Sequence, residues 1–201
     1  MMTNTRIALL ILTLLFLSNC ALTNYEIQRE YQFTVPKLDN TEKYYLYTKV
    51  NYQPVFTEDP KAVGVKKNGY GSETARIYLS EDAKDWIQKA LDQELKSAGF
   101  NVESSYHSND IKITLNVMQF FVEPWVGFWS ADVIGKLKIE AVVQFPNKDL
   151  YYVRKFVSYD KTTTMVWSDG VLEDRIINVA QDNLPQIVKE IHALVLTKQN
   201  K

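Results

Sequence analysis

The chain has 201 residues, 46% of them hydrophobic and 23% charged, with a formal net charge of −1 and one cysteine. This balance excludes a basic surface for nucleic acid, and a lone cysteine excludes an intrachain disulfide, so a packed core must hold the fold. Once a leader is removed, the length suits one domain.

Ile7 to Leu17 is apolar except for Thr13, follows a start whose only side-chain positive charge is Arg6, and gives way to small polar residues. This is the layout of a secretory signal peptide over residues 1–19. The run is shorter than the about 18 to 20 apolar residues that cross roughly 30 Å of hydrocarbon, so export and cleavage are expected instead of a permanent anchor helix. Cys20 follows directly, in Leu17-Ser18-Asn19-Cys20. An odd cysteine in an exported chain is paired between chains, left reactive, or modified.

The string resembles the lipobox of bacterial lipoproteins. Leu17, Ser18 and Cys20 fit that pattern, whereas Asn19 stands where Gly or Ala is usual. The resemblance implies cleavage between Asn19 and Cys20, diacylglycerol on the Cys20 sulfur and acylation of its new amino group. The alternative is a secreted protein cut nearby that keeps a free thiol. Each buried CH₂ contributes about 0.8 kcal/mol, so two or three acyl chains hold a protein effectively permanently. Residues 20–30 are then a lipidated tether and residues 31–198 a single domain, with Ala21 to Gln32 lacking any sustained period.

Tyr31 to Val35 and Lys43 to Val50 are rich in aromatic and β-branched residues and read as strands. Asn51 to Thr74 is broken by Pro54, Pro60, Gly64, Gly69 and Gly71; it reads as loop with short strand pieces and a tight turn at Asn68-Gly69, before a strand at Ala75 to Leu79. A helix is predicted from Glu81 to Ala98, capped by Ser80 and ended by Gly99. Its apolar face holds Ala83, Trp86, Ile87, Ala90, Leu91, Leu95 and Ala98, and Asp85 with Lys89 and Asp92 with Lys96 form i,i+4 pairs on the other. Trp86 belongs to the core stripe.

Ile111, Ile113, Leu115 and Val117 alternate with polar residues in the next strand. A longer one buries Val133, Gly135, Leu137, Ile139, Ala141, Val143 and Phe145. Pro146 to Asp149 is a turn, and Leu150 to Asp160 a third strand with Tyr151, Val153, Lys155, Val157 and Tyr159 on one face. A last helix starts near Asp169-Gly170, with a kink or restart expected at Pro185. The predicted fold is α+β: an antiparallel sheet that includes a three-stranded meander, packed on one face by two helices as a two-layer sandwich.

Cys20, the helix text Trp86-Ile87-Gln88-Lys89-Ala90-Leu91 through Leu95 to Ala98-Gly99-Phe100, and the strand Ile111-Lys112-Ile113-Thr114-Leu115 resemble the YajG-type bacterial lipoproteins. The build is also similar in topology to auxiliary lipoproteins of envelope ABC transporters. The first resemblance implies an outer-membrane lipoprotein without supplying an active site. Ala21, where Asp would be the retention signal, agrees with outer-membrane delivery, facing the periplasm.

Catalytic chemistry is not expected, and neither cofactor nor metal. His107 and His192 have no metal-ligand spacing, no Gly-x-Ser-x-Gly or phosphate loop occurs, and lipidation would consume the only thiol. The carboxylate pairs Glu81-Asp82 and Glu173-Asp174 fall at predicted helix starts, where the dipole accounts for them. Phe120 to Trp129 stands apart, because it links two meander strands, where polar turn residues are usual, yet is aromatic-rich with the single charge of Glu123. Trp125, Val126, Phe128 and Trp129 are the candidate binding patch: an exposed tip that docks on a partner, a lipid surface or an apolar ligand. The preferred reading is a longer hairpin that folds these aromatics back over the sheet edge or under the Asn51 to Thr74 loop. Two functions follow: a lipid-anchored envelope component, structural or accessory, touching an unidentified envelope protein, or a module binding lipid or apolar ligands beside a transporter.

Overall fold

The computed structural model describes residues 22–146 and 151–199. The expected signal peptide of residues 1–19, the expected cleavage between Asn19 and Cys20 and lipidation of Cys20, and most of the expected Pro146 to Asp149 turn lie outside the described residues. Within them the elements are β1 (Tyr25–Glu26), β2 (Tyr45–Tyr52), β3 (Ala62–Lys67), β4 (Glu73–Tyr78), α1 (Ala83–Ser97), β5 (Asn101–Glu103), β6 (Ile111–Val126), β7 (Ala131–Gln144), β8 (Tyr151–Thr164) and α2 (Asp169–Gln199).

The α+β class and the antiparallel meander β6–β7–β8 are as read from the alternation. Outside the meander the sheet is mixed. β2 and β3 lie end to end along the free edge of β6, both parallel to it, with Leu46 to Tyr52 beside Ile111 to Val117 and Gly64 beside Val122. β5 pairs in parallel with the outer edge of β2, β4 pairs antiparallel with β3, and β1 adds in parallel to β4.

β6 is long enough to serve two neighbours because it does not end at Val117. A bulge at Met118 puts one extra residue into the strand and resets its phase. Ile111, Ile113, Leu115 and Val117 point to the core before the bulge, and Phe120 and Val122 after it. The expected long loop therefore shrinks to a turn of four residues, Gly127 to Ser130, closed by the Gly127 amide donating to the Ser130 carbonyl at 2.7 Å.

α1 packs on β2 and β5, α2 on β6, β7 and β8, and the helices touch each other. Trp86 enters the core as predicted, stacked on Phe120 at 5.6 Å and edge-on to Tyr31 at 5.7 Å. Gly99 ends α1 at φ +95°, and a Cβ there would lie 2.5 Å from Thr41 Oγ1. The capping position is Asp82, not Ser80, and the Ala83 amide donates to the Pro60 carbonyl. Two predicted surface pairs are replaced: Lys89 reaches Glu81, and Asp92 accepts from Thr48 Oγ1 at 2.5 Å. In the β3–β4 hairpin the left-handed residue is Gly71 (φ +81°), not Gly69, and Asn68 Oδ1 accepts from the Tyr70 and Ser72 amides.

α2 runs through Pro185 as one helix without a restart. Leu184, Ile187 and Val188 are fully buried around the proline, and Asn183 Nδ2 donates to the Leu137 carbonyl at 3.2 Å. Packing on both sides of the missing donor outweighs its loss. The opposite face of the meander is open, with Tyr151, Val153, Val157 and Tyr159 of β8 exposed on it.

Candidate functional site

The β3–β4 hairpin, the β6–β7 turn and the β8–α2 connection meet at one end of the sheet. Register places them there: Lys67 faces Glu73 across the hairpin, Val126 faces Ala131 across the turn, and Ala131 faces Thr164 at the end of β8. A shallow groove lined by Lys67, Gly71, Pro124, Trp125 and Val126 joins the first two.

The candidate patch sits on this end. Phe128 is 90% exposed, Trp129 77% and Trp125 59%, with Val126 half-buried. The expectation that these aromatics fold back is therefore corrected. After the bulge Phe120, Val122 and Pro124 turn inward, while β6 carries the tip beyond the body of the sheet. Phe128 and Trp129 meet edge to face at 4.7 Å and brace each other in the open. Tyr70, Met165 and Val166 extend the same end, all exposed. They were not singled out from sequence, although a Met-Val pair where a polar strand-to-helix connection is usual is the signal that marks them.

A belt of ion pairs lies beneath the aromatic end. Glu123 is held by Lys67 at 2.6 Å and Lys136 at 3.7 Å, and Lys136 Nζ lies 5.9 Å from the centre of the Trp125 ring. Lys161 reaches Asp132 at 2.7 Å, and Thr163 Oγ1 donates to the same carboxylate at 2.6 Å. The fully buried Lys66 ammonium is 2.6 Å from Asp169 at the start of α2 and 5.5 Å from the Tyr25 ring centre. Burial alone would raise the Glu123 pKa, but hydrogen bonds from Lys67 and Trp125 and the charges of Lys67 and Lys136 outweigh it and hold it below the ordinary value.

That depression has a stability consequence. A carboxyl whose folded pKa is lowered stabilises the fold above its unfolded value, and the contribution is lost as pH falls through the folded pKa. Wild type is expected to lose urea resistance as pH drops below about 4.5, the ordinary Glu value. Glu123→Gln is expected to be weaker at neutral pH and to show a shallower acid decline in the same urea titration; parallel curves would show that Glu123 contributes nothing to the belt.

The second constellation is the N-terminal segment. β1 pairs with β4 and Ile27 is buried, so part of the stretch read as tether is fixed to the domain. Glu173 accepts from the Tyr25 hydroxyl and the Arg29 amide, and Asp174 pairs with Arg29 at 2.9 Å. These two carboxylates grip the segment; they do more than complement a helix dipole. Burial, then the bond to Glu173, pushes the Tyr25 phenol up to about 12. Further along, Tyr31 to Val35 is not a strand. Its donors go to one carboxylate: Glu94, fully buried in α1, accepts from the Tyr31 hydroxyl (2.6 Å) and from the amides of Thr34 (2.9 Å) and Val35 (3.0 Å). Burial and that bond raise the Tyr31 pKa.

Neither histidine joins a reactive cluster. His107 contacts Asp110 at 3.3 Å, and His192 donates to the Asp39 carbonyl at 2.9 Å. Among the described residues no three His, Cys, Asp or Glu side chains gather as a metal site, and no helix is long and apolar enough to cross a membrane.

A family model described as Uncharacterized lipoprotein matches residues 60–191. Among solved structures, a Xanthomonas campestris protein of family DUF330 is 13% identical, with 88% of this chain and 97% of that chain aligned at a TM-score of 0.58. An uncharacterized protein aligns at 13% identity over 84% of this chain and 98% of its own, with a TM-score of 0.43. A neuraminyllactose-binding hemagglutinin homolog from Helicobacter pylori aligns at 12% identity over 81% and 90%, with a TM-score of 0.38. The first of these similarities is one of fold alone. No curated protein matches the chain.

Proposed function

The chain belongs to this family of uncharacterized lipoproteins, and on that premise we propose that it is a lipid-anchored protein of the outer membrane, facing the periplasm, that acts without catalysis as a structural or accessory component. The observation that carries this reading is the exposed aromatic end: Trp125, Phe128 and Trp129 present apolar surface outward, where contact with another component would bury it. The grip on residues 25–35 supports it too. Glu173, Asp174 and Glu94 bind the segment that leads back to Cys20, so a pull on a lipid there passes directly into α1 and α2.

The alternative, a module that encloses lipid or another apolar ligand, finds less support. The cavity between α2 and the meander, lined by Ala141, Phe156, Ile187 and Ile191, has a volume of about 10 Å³. Sites for small apolar ligands run to about 300–1,000 Å³. A larger cleft of about 440 Å³ lies between the N-terminal segment and α1, but Glu26, Arg29, Glu81 and Lys89 line it, and desolvating these charges opposes an apolar guest.

The anchor is tested by intact mass. Chain extracted from envelopes should begin at Cys20 and carry diacylglyceryl and acyl groups, and Cys20→Ala should abolish both the added mass and that cleavage. A mature chain with an unmodified thiol would overturn the anchored reading.

A further inference from the structure

We propose that the aromatic end is a membrane-docking face, and that it rests in the interfacial layer of the same bilayer that holds the lipid on Cys20. This builds on the anchor proposed above and adds a partner for Trp125, Phe128 and Trp129.

Three observations converge on the bilayer. The first is where the chain leaves the domain. β1 runs parallel to β4, and the Asn24 side-chain oxygen accepts from the Arg76 amide. Read backwards from Tyr25, the chain heads along β4 toward Glu73 and the Asn68–Ser72 turn, which is the aromatic end. Cys20 is only four residues upstream of Asn24, a reach of at most about 14 Å for extended chain. A lipid on Cys20 therefore brings the membrane surface up to this end and not to the opposite one.

The second is the chemistry of the end. Two tryptophans, Phe128, Tyr70, Met165 and Val166 are exposed, drawn from three separate connections. Trp and Tyr favour the headgroup level of a bilayer, where an apolar ring and a polar edge are both satisfied. One aromatic turn could be accidental, but three loops that place apolar tips beside the exit of the anchored segment form a surface.

The third is charge. Each cation near the tip has a local counter-charge: Lys66 with Asp169, Lys67 and Lys136 with Glu123, and Lys161 with Asp132. The end is thus close to neutral and suits insertion of rings, where a polybasic lipid-binding patch would carry unpaired lysines. Docking should accordingly be insensitive to salt. With both lipid and tip engaged, the sheet axis stands away from the membrane, and the open face of β8 with Val157 and Tyr159 is left for protein partners.

The test uses the full lipidated chain reconstituted in vesicles of phosphatidylethanolamine and phosphatidylglycerol doped with acyl-brominated phosphatidylcholine. Trp125 and Trp129 are two of four tryptophans, so bromine at shallow acyl carbons should quench about half of the emission, consistent with interfacial placement. Trp125→Phe with Trp129→Phe should remove that quenched share, and Trp86→Phe with Trp167→Phe should keep it. A double Phe128→Ser, Trp129→Ser chain should melt close to wild type, because both side chains are largely exposed and neither joins the Glu123 belt, yet it should lose the quenching, which separates docking from folding. Flotation and intact mass report on the anchor independently. Vesicles that float a lipidated chain without quenching Trp125 and Trp129 would overturn the docking face and leave the anchor standing. Absent quenching together with a dimer in mild detergent would assign the end to a second copy instead. An unlipidated Cys20 with neither flotation nor quenching would remove both readings.

Discussion

Glu94→Ala is expected to cost about 3–5 kcal/mol, because it leaves a hydroxyl and two amide donors without their acceptor, at about 1–3 kcal/mol for each buried donor left unsatisfied. At about 2–4 °C per kcal/mol for a domain of this size, the melting temperature should fall by roughly 10 °C. Among the described residues the Tyr31 hydroxyl and the Thr34 and Val35 amides all donate to this one carboxylate. Truncation leaves three donors facing a hole in α1 between Leu91 and Leu95, both fully buried. Tyr31→Phe removes one of the three bonds and should cost about 1 kcal/mol, the net contribution of a single hydrogen bond. A readout specific to the segment comes from limited trypsin digestion at Arg29 and Lys37, which flank it. Both sites should be cut much faster in Glu94→Ala under conditions where the rest of the domain stays folded. A melting temperature within a degree or two of wild type would show that water replaces Glu94 and that the segment is held by Ile27 and β1 alone.

Glu94 also shows where the sequence was legible and where it was not. The helix was readable from its apolar period, and that period already contained the anomaly: Glu94 follows Ala90 by four and Leu91 by three, on the stripe that faces the core. A charged residue on such a stripe needs buried donors, and Tyr31 to Val35 supplies them. The same five residues looked like a strand because aromatic and β-branched side chains favour pleated surfaces. Strand propensity says nothing about which acceptor takes the amides, and here a side chain from α1 takes two of them. β7 and most of β8 were readable because a period of two holds along their length. The second half of β6 was not, because the bulge at Met118 moves the inward positions from odd to even numbers and the alternation appears to stop.

The aromatic patch was recognised as unusual from composition alone, but its direction could not be. Whether Trp125 faces solvent depends on how far β6 extends before it turns, and that is decided by pairing with β3 and β7 far away in sequence. The convergence of Tyr70 and Met165 on the same end is a matter of register, which no local pattern encodes. Cys20 gains its meaning in the same way. The lipid proposed for it rests on the motif alone, while the parallel pairing of β1 with β4 decides which end of the domain such a lipid would lie near.

Gly135→Ala is expected to destabilise by roughly 3 kcal/mol, at the upper end of the usual overpacking cost. Gly135 lies in the middle of β7, where the backbone of α2 crosses it. A Cβ built there would come within 2.7 Å of the Arg175 carbonyl carbon, against backbone on a helix that cannot rotate away. Relief requires lifting α2 from the sheet near Leu172, Ile176 and Val179, all fully buried. It would also pull on two bonds that fix this crossing, from Arg175 and Asn178 to Asp160 at 2.8 and 2.9 Å. The sign is what makes the substitution informative. Where alanine fits, replacing glycine stabilises by about 0.4–1 kcal/mol, because the unfolded chain loses freedom. Gly69→Ala is the matched control, since nothing lies within 4 Å of a Cβ there and Gly69 is not left-handed. Urea denaturation should thus move the two midpoints in opposite directions, or leave Gly69→Ala unmoved while Gly135→Ala falls. A Gly135→Ala midpoint at or above wild type would mean that α2 does not approach β7 this closely in solution, and the packing that links the meander to the gripped N-terminal segment through Glu173 would have to be redrawn.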